Sequence, residues 1–159
     1  MTKTPTLEPW QILVDTREQR PLFKCPPSQR VTLSTGDYSV EGLTAVVAIE
    51  RKSIGDAYGS VGKGRDRLRA AFERLATIRY RAVVIEGSMT AIMRAKRWGR
   101  VQPAHVLGTV GSWAMEYGVP VFFCDSRAMT KWYVQTLLRI ALKKAVEDMS
   151  ALAVNDHEG

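Results

Sequence analysis

The chain has 159 residues, enough for one domain with its own core, and 45% hydrophobic with 25% charged residues is ordinary for a soluble globular fold. No apolar run approaches the roughly 20 residues of a membrane-spanning helix, Met1 to Glu8 lack the apolar stretch of a secretory signal, and two distant cysteines with two histidines give no structural zinc site. The net charge of +7 and a pI of about 9.7 favour a polyanionic partner, and the sparse cysteines suit a reducing, cytoplasmic compartment, nucleoid-associated in a microbe or nuclear in a eukaryote.

Residues 1–10 read as a polar, mobile lead. Gln11 to Val14 form a first strand ending at Asp15, followed by Thr16-Arg17-Glu18. Arg20 to Ser28 is a loop, because Pro26-Pro27 lacks the backbone freedom and N–H donors of regular structure. Arg30 to Leu33 make a second strand. Gly36-Asp37-Tyr38 leads into a hairpin that turns at Glu41-Gly42. The next strand, Leu43 to Lys52, carries the apolar run Ala45 to Ile49, which implies burial on both faces and a central place in the sheet.

Ser53-Ile54-Gly55-Asp56 fits a helix start with Ser53 as N-cap and an acid at N3, so Asp56 has a capping role available beside any chemical one. Gly59 to Gly64 reads as a flexible loop. Residues 66–78 form an amphipathic helix with Leu68, Ala71, Phe72 and Leu75 on one stripe. Arg81 to Glu86 is a buried strand and 88–96 a short helix. Pro103 opens a helix over 103–117 that Gly118 closes. Val119 to Phe123 is a strand. Ser126 to about Met149 is a long closing helix with Trp132, Leu138, Ile140 and Leu142 among its apolar positions, and 151–159 is a frayed tail. An antiparallel first half followed by α/β alternation gives a mixed sheet with helices on both faces, in a single domain over 11–150.

The densest chemistry lies at Glu50-Arg51-Lys52. Side chains two apart on a strand share a face, so Glu50 and Lys52 project together. Asp37 lies thirteen positions before Glu50, far enough for the hairpin to bring it alongside. Two carboxylates and a lysine at a strand end suit a hard divalent cation and a polarised water.

Taken in order, Val14-Asp15-Thr16-Arg17-Glu18, Gly36-Asp37, Glu50-Arg51-Lys52 and Asp56 resemble the signature of the nuclease domain of the XPF family of structure-specific endonucleases. The likeness runs from about Ile12 to the end of the last helix. It implies a restriction-endonuclease-like three-layer α/β/α fold with a central mixed sheet, and Mg²⁺- or Mn²⁺-dependent hydrolysis of branched DNA (flaps, forks or junctions) near single-strand/double-strand boundaries, as in repair and recombination. Asp37 and Glu50 are the metal-ligand candidates, and the resemblance adds the Arg51 backbone carbonyl and an outer role for Asp15. With Lys52 as a fixed cation near the scissile phosphate and Asp56 closing the motif, the catalytic candidates are Asp15, Asp37, Glu50, Lys52 and Asp56. The resemblance further implies a homodimer, for which the last helix is the candidate interface, and leaves room for a DNA-processing protein partner. Relatives usually carry a helix-hairpin-helix domain, which does not fit in this length.

Arg17 and Arg51 have alternative readings: each clamps a phosphate, orients a catalytic carboxylate or pairs with a surface acid. Lys63, Arg65 and Arg67 crowd one basic segment, and Arg97 and Arg100 flank Trp98 in another; these are the DNA-binding candidates. Glu18 and Glu86 read as solvated acids. Tyr38 is expected to pack beside Asp37. The competing class is a non-catalytic DNA-binding subunit or scaffold, whose known examples lose the motif acids or lysine; this chain keeps them all.

Overall fold

The computed structural model describes residues 10–25, 27–95 and 100–155. Its strands are β1 (Ile12–Asp15), β2 (Ser28–Val31), β3 (Tyr38–Val40), β4 (Val47–Ser53), β5 (Tyr80–Glu86) and β6 (Val121–Cys124). Its helices are α1 (Ile54–Val61), α2 (Arg65–Ala76), α3 (Met89–Arg94), α4 (Pro103–Tyr117) and α5 (Arg127–Asn155). The strands make one six-stranded sheet in the order β2-β1-β3-β4-β5-β6. β3 is antiparallel to both β1 and β4, β1 and β2 are parallel, and β4, β5 and β6 are parallel to one another. Helical crossovers between β4, β5 and β6 impose that parallel half, since a short hairpin cannot join parallel strands.

Alternation along the central strands divides the core in two. Val47 and Ile49 of β4, with Ala82 and Val84 of β5, pack under α5 against Val134, Leu138 and Leu142. Ala48, Val83 and Ile85 face the other way and meet Tyr58, Phe72, Val106 and Trp113 from α1, α2 and α4. The three-layer α/β/α arrangement expected from the element order is therefore present. The same parity continues past the apolar run. Glu50 and Lys52 fall on the α1 side with Ala48, and Arg51 falls on the α5 side with Ile49.

Element boundaries differ from the sequence expectation where tertiary contacts outweigh local signals. β2 starts at Ser28 because Ile12 pairs with it. β4 starts at Val47, not Leu43, because the Leu43 carbonyl accepts from the N–H groups of Val46 and Val47 and closes a turn. The expected loop at Gly59 is helical as far as Val61, because Tyr58 and Val61 are buried and the Tyr58 hydroxyl donates to the Ile92 carbonyl at 2.8 Å. The tail expected to fray from Ala151 continues α5 to Asn155. Trp132 and Ile140, counted among the apolar positions of α5, are 59% and 47% exposed. The lead over 1–9 and the residues 156–159 lie outside the described residues. Among the described residues, no helix is long and apolar enough to cross a membrane.

Gly36 fixes the entry to β3. Its φ is +75°, and a Cβ there would sit 3.0 Å from the Ile49 carbonyl oxygen and 3.2 Å from the Ile49 nitrogen. Gly42 has a similar φ of +77° with nothing within 4 Å of a Cβ. Gly36→Ala therefore meets both backbone strain and a backbone clash, and Gly42→Ala strain alone. We expect Gly36→Ala to lower stability by about 2–3 kcal/mol and Gly42→Ala by about 1 kcal/mol in urea unfolding; equal losses would show that β4 yields to the added methyl group.

Candidate active site

Three segments converge at the C-terminal end of β4. Gly36 lets the chain lie against that strand, so that the Asp37 N–H donates to the Ile49 carbonyl at 2.8 Å. The Arg51 N–H donates back to Asp37 Oδ2 at 2.7 Å, folding the carboxyl over the Glu50-Arg51 backbone. Glu50 and Lys52 share their face, with Lys52 Nζ 3.4 Å from Glu50 Oε1. Asp56 stands in the first turn of α1, where Ser53 Oγ donates to its Oδ2 at 2.7 Å and its own N–H donates to Ser53 Oγ at 3.1 Å. Asp56 thus performs the capping role and also borders the site. A cleft of about 440 Å³ is lined by Asp37, Glu50, Lys52 and Asp56 together with Arg17 and Arg20.

The electrostatics of the cleft centre on Asp37. Burial is the largest influence on its carboxyl and the charge of Glu50 adds to it, so its pKa is pushed up to about 8 despite the opposing Arg51 N–H and Lys52. Two neighbouring carboxyl groups withdrawn from water resist simultaneous ionisation unless a cation joins them. That donor chemistry fits a hard divalent ion. Among the described residues, no three His, Cys, Asp or Glu side chains gather as a metal-holding group. A cation here would accordingly take Asp37, Glu50, a backbone oxygen and water, the mixture that Mg²⁺ favours.

Asp15 does not join this set. Its side chain is 2% exposed, and its carboxylate accepts from Arg17 N at 2.9 Å, Arg17 Nε at 2.7 Å, Arg17 Nη2 at 3.1 Å and Leu33 N at 2.7 Å. Burial alone would raise its pKa, but Arg17 and the two backbone N–H groups outweigh it and hold the carboxyl below its ordinary value. With both oxygens engaged, Asp15 anchors Arg17, and its side chain does not line the cleft. Arg17 Nη2 also donates to the Leu33 carbonyl at 2.6 Å. A guanidinium on a side chain 68% exposed is thereby fixed at the cleft wall.

Arg51 departs from the phosphate-clamp reading. Its side chain is 7% exposed; Nε and Nη2 donate to Glu18 at 3.0 Å each, and Nη1 to Glu86 at 2.7 Å. Of its alternative readings, pairing with acids is the one realised, and the acids are not at the surface. Burial would raise the Glu18 pKa, but the Arg51 guanidinium and the Arg20 N–H hold it below its ordinary value. The Tyr38 hydroxyl donates to Glu18 Oε2 at 3.3 Å and accepts from Leu22 N at 3.0 Å. Glu86 also accepts from Arg127 Nη1 at 3.2 Å. Glu18 and Glu86 are therefore buried or half-buried partners of Arg51, not solvated acids. The motif containing Glu18 held the signal for one; nothing local marks Glu86 or Arg127.

The basic DNA-binding candidates are dispersed. Lys63 lies in the α1–α2 connection, and Arg65 and Arg67 stand on α2. The Arg65 guanidinium sits 4.9 Å from the Trp113 ring centroid and its Nη1 donates to Thr109 Oγ1 at 3.4 Å. None of these three, nor the exposed Arg100, lines the cleft. Arg97 lies outside the described residues.

Residues 14–137 match the ERCC4 domain. The chain belongs to the ERCC4 domain family. Among solved structures, this ERCC4 chain is similar to XPF from Aeropyrum pernix, with a TM-score of 0.63 and 21% identity over 89% of this chain and 69% of that one. It is equally similar to the same organism's XPF in complex with DNA, with a TM-score of 0.63 and 22% identity over 84% of this chain and 66% of that one. The ERCC4 chain thus spans about two thirds of the length of those XPF chains and shares their restriction-endonuclease-like nuclease-domain fold. A comparison with curated proteins finds no match.

Two consequences are measurable. Arg51→Ala leaves Glu18 and Glu86 without their shared cation, and should cost about 3–5 kcal/mol in chemical unfolding, with Arg51→Lys costing less. The second concerns pH. The folded pKa of Asp37, about 8, lies above its ordinary 3.8, so the folded state binds the extra proton in between. The contribution of Asp37 to stability is complete below about pH 4 and is lost as pH rises through 8. In EDTA, the stability of Asp37→Asn relative to wild type should climb between pH 4 and 8, by at most about 1.4 kcal/mol for each pH unit, and then level off. A difference that stays flat with pH would show that Asp37 is ionised throughout.

Proposed function

We propose that this chain is a metal-dependent endonuclease that hydrolyses phosphodiester bonds in branched DNA near single-strand/double-strand boundaries. The observation that carries the reading is the meeting of Asp37, Glu50 and Lys52 in one cleft, with Asp37 and Glu50 so placed that their joint ionisation calls for a cation. Membership of the ERCC4 family and the likeness to an XPF solved in complex with DNA support it.

In this mechanism Asp37 and Glu50 hold Mg²⁺ or Mn²⁺, with the Arg51 carbonyl as a backbone ligand. When bound, the ion supplies an activated water and neutralises charge growing on the phosphate. As a ligand Asp37 would act through its ionised carboxylate, the form that a bound cation favours. Lys52 Nζ, 3.4 Å from Glu50 Oε1, presents positive charge to the scissile phosphate. Arg17, rigid on Asp15, contacts a flanking phosphate oxygen. The Glu18–Arg51–Glu86 network, of which Glu18 and Arg51 border the same cleft, ties β4 to the end of β1 and to β5 beside the reacting groups.

Labelled flap, fork and blunt duplex DNA incubated with the protein test this. Cutting near the branch should require Mg²⁺. Asp37→Ala should abolish cutting while retaining DNA binding, and Lys52→Ala should slow it on the order of 10²–10³-fold. Mg²⁺ should also raise the melting temperature of the wild type and not of Asp37→Ala. Absence of metal-dependent cutting on every substrate would end the proposal.

We also propose that the functional unit is a homodimer formed through α5. Met129, Trp132 and Ile140 are 48%, 59% and 47% exposed, and their spacing places them on one side of the helix. Sedimentation should return twice the 17.8 kDa chain mass, and Trp132→Glu should return that mass once.

A further inference from the structure

A second groove opens beside the catalytic cleft. It has a volume of about 530 Å³ and runs between the segment after β1 and the first turns of α5. Pro21, Phe23 and Pro27 give it an apolar side, and Lys24, Arg127 and Lys131 give it three cations. None of the described residues lining it is Asp or Glu. Lys131 Nζ stands 5.8 Å from the ring centroid of Phe23, which is itself buried, so the open apolar surface is that of Pro21 and Pro27. Arg127 forms the seam with the active cleft. Its Nη2 donates to the Arg20 carbonyl at 2.8 Å and the Pro21 carbonyl at 3.1 Å, while its Nη1 reaches Glu86. Arg20 lines the catalytic cleft and Pro21 lines this groove.

Lys24 and Lys131 have no ion-pair partner among the described residues, and such cations raise the local concentration of phosphate. An apolar wall beside them offers a surface for bases, and only unpaired bases expose their faces. Its volume of about 530 Å³ leaves room for an unpaired nucleotide. We propose that this groove binds the unpaired strand of a branched DNA as it leaves the catalytic cleft, with Lys24 and Lys131 on its phosphates. The proposal deepens the endonuclease reading above and rests on it for the identity of the polymer.

The test uses the full chain in EDTA, with fluorescence anisotropy on a flap substrate and on a blunt duplex of the same sequence. The double variant Lys24→Ala/Lys131→Ala removes two exposed charges and should leave the melting temperature unchanged. Flap binding should weaken about tenfold while duplex binding holds. The slope of log affinity against log salt for the flap should fall by about 1.4, since each single-strand phosphate contact contributes about 0.7. Lys24→Arg/Lys131→Arg should restore both values. Equal weakening on flap and duplex, or no weakening on either, overturns the groove assignment. Cutting by the wild type in Mg²⁺ is scored separately. If the wild type cuts and the variant keeps the wild-type flap-to-duplex ratio, only this inference falls. If the flap preference depends on the lysines but nothing is cut, the groove stands and the nuclease reading falls.

Discussion

Arg51 contributes its backbone to one face of the sheet and its side chain to the other, and the site depends on both. The main-chain N–H holds the Asp37 carboxyl at 2.7 Å. The guanidinium, out of water, joins Glu18 from the end of β1 to Glu86 at the end of β5. A buried cation with two acid partners adds little to stability compared with apolar packing, but it tolerates little displacement of any partner. β4 is thereby locked against both neighbouring segments at the level of Glu50 and Lys52. A strand end that would otherwise fray becomes the most constrained part of the sheet.

The alternation of β4 separates two tasks that would conflict on one face. Glu50 and Lys52 need access to water and a phosphate, so they share the side where α1 begins and leaves a cleft. Arg51 needs shelter for its ion pairs to keep their geometry, so it occupies the α5 side. Asp37 reaches the first group from a neighbouring segment only because Gly36 can take a positive φ within 3.0 Å of β4. Arg17 repeats the pattern on a smaller scale: a buried acid, Asp15, rigidifies an exposed cation and lets it face solvent without losing its orientation.

Much of this was legible in the chain. The apolar run before Glu50 predicted a central strand, the i, i+2 spacing predicted that Glu50 and Lys52 face one way, and Ser53 with Asp56 predicted the cap. What was not legible has a common physical origin. Asp15 and Arg51 look, as isolated letters, like a ligand and a phosphate clamp. Their partners are Leu33 in one case and Glu18, Glu86 and, through it, Arg127 in the other, and separations of up to 109 positions within one network leave no local trace. The helix through Gly59 likewise has a distant partner, the Ile92 carbonyl that accepts from the Tyr58 hydroxyl, whereas the late start of β4 comes from a local turn on the Leu43 carbonyl.

The sequence by itself determined which residue types stand at the end of β4, the alternation that sorts them onto two faces, and the positive charge that favours a polyanion, because these follow from spacing and composition alone. Tertiary structure decided which acids stay free for a cation and which are spent on arginines, and that a carboxylate-free groove adjoins the cleft. That division turns on burial and on contacts between distant segments, and neither exists until the sheet has closed around them.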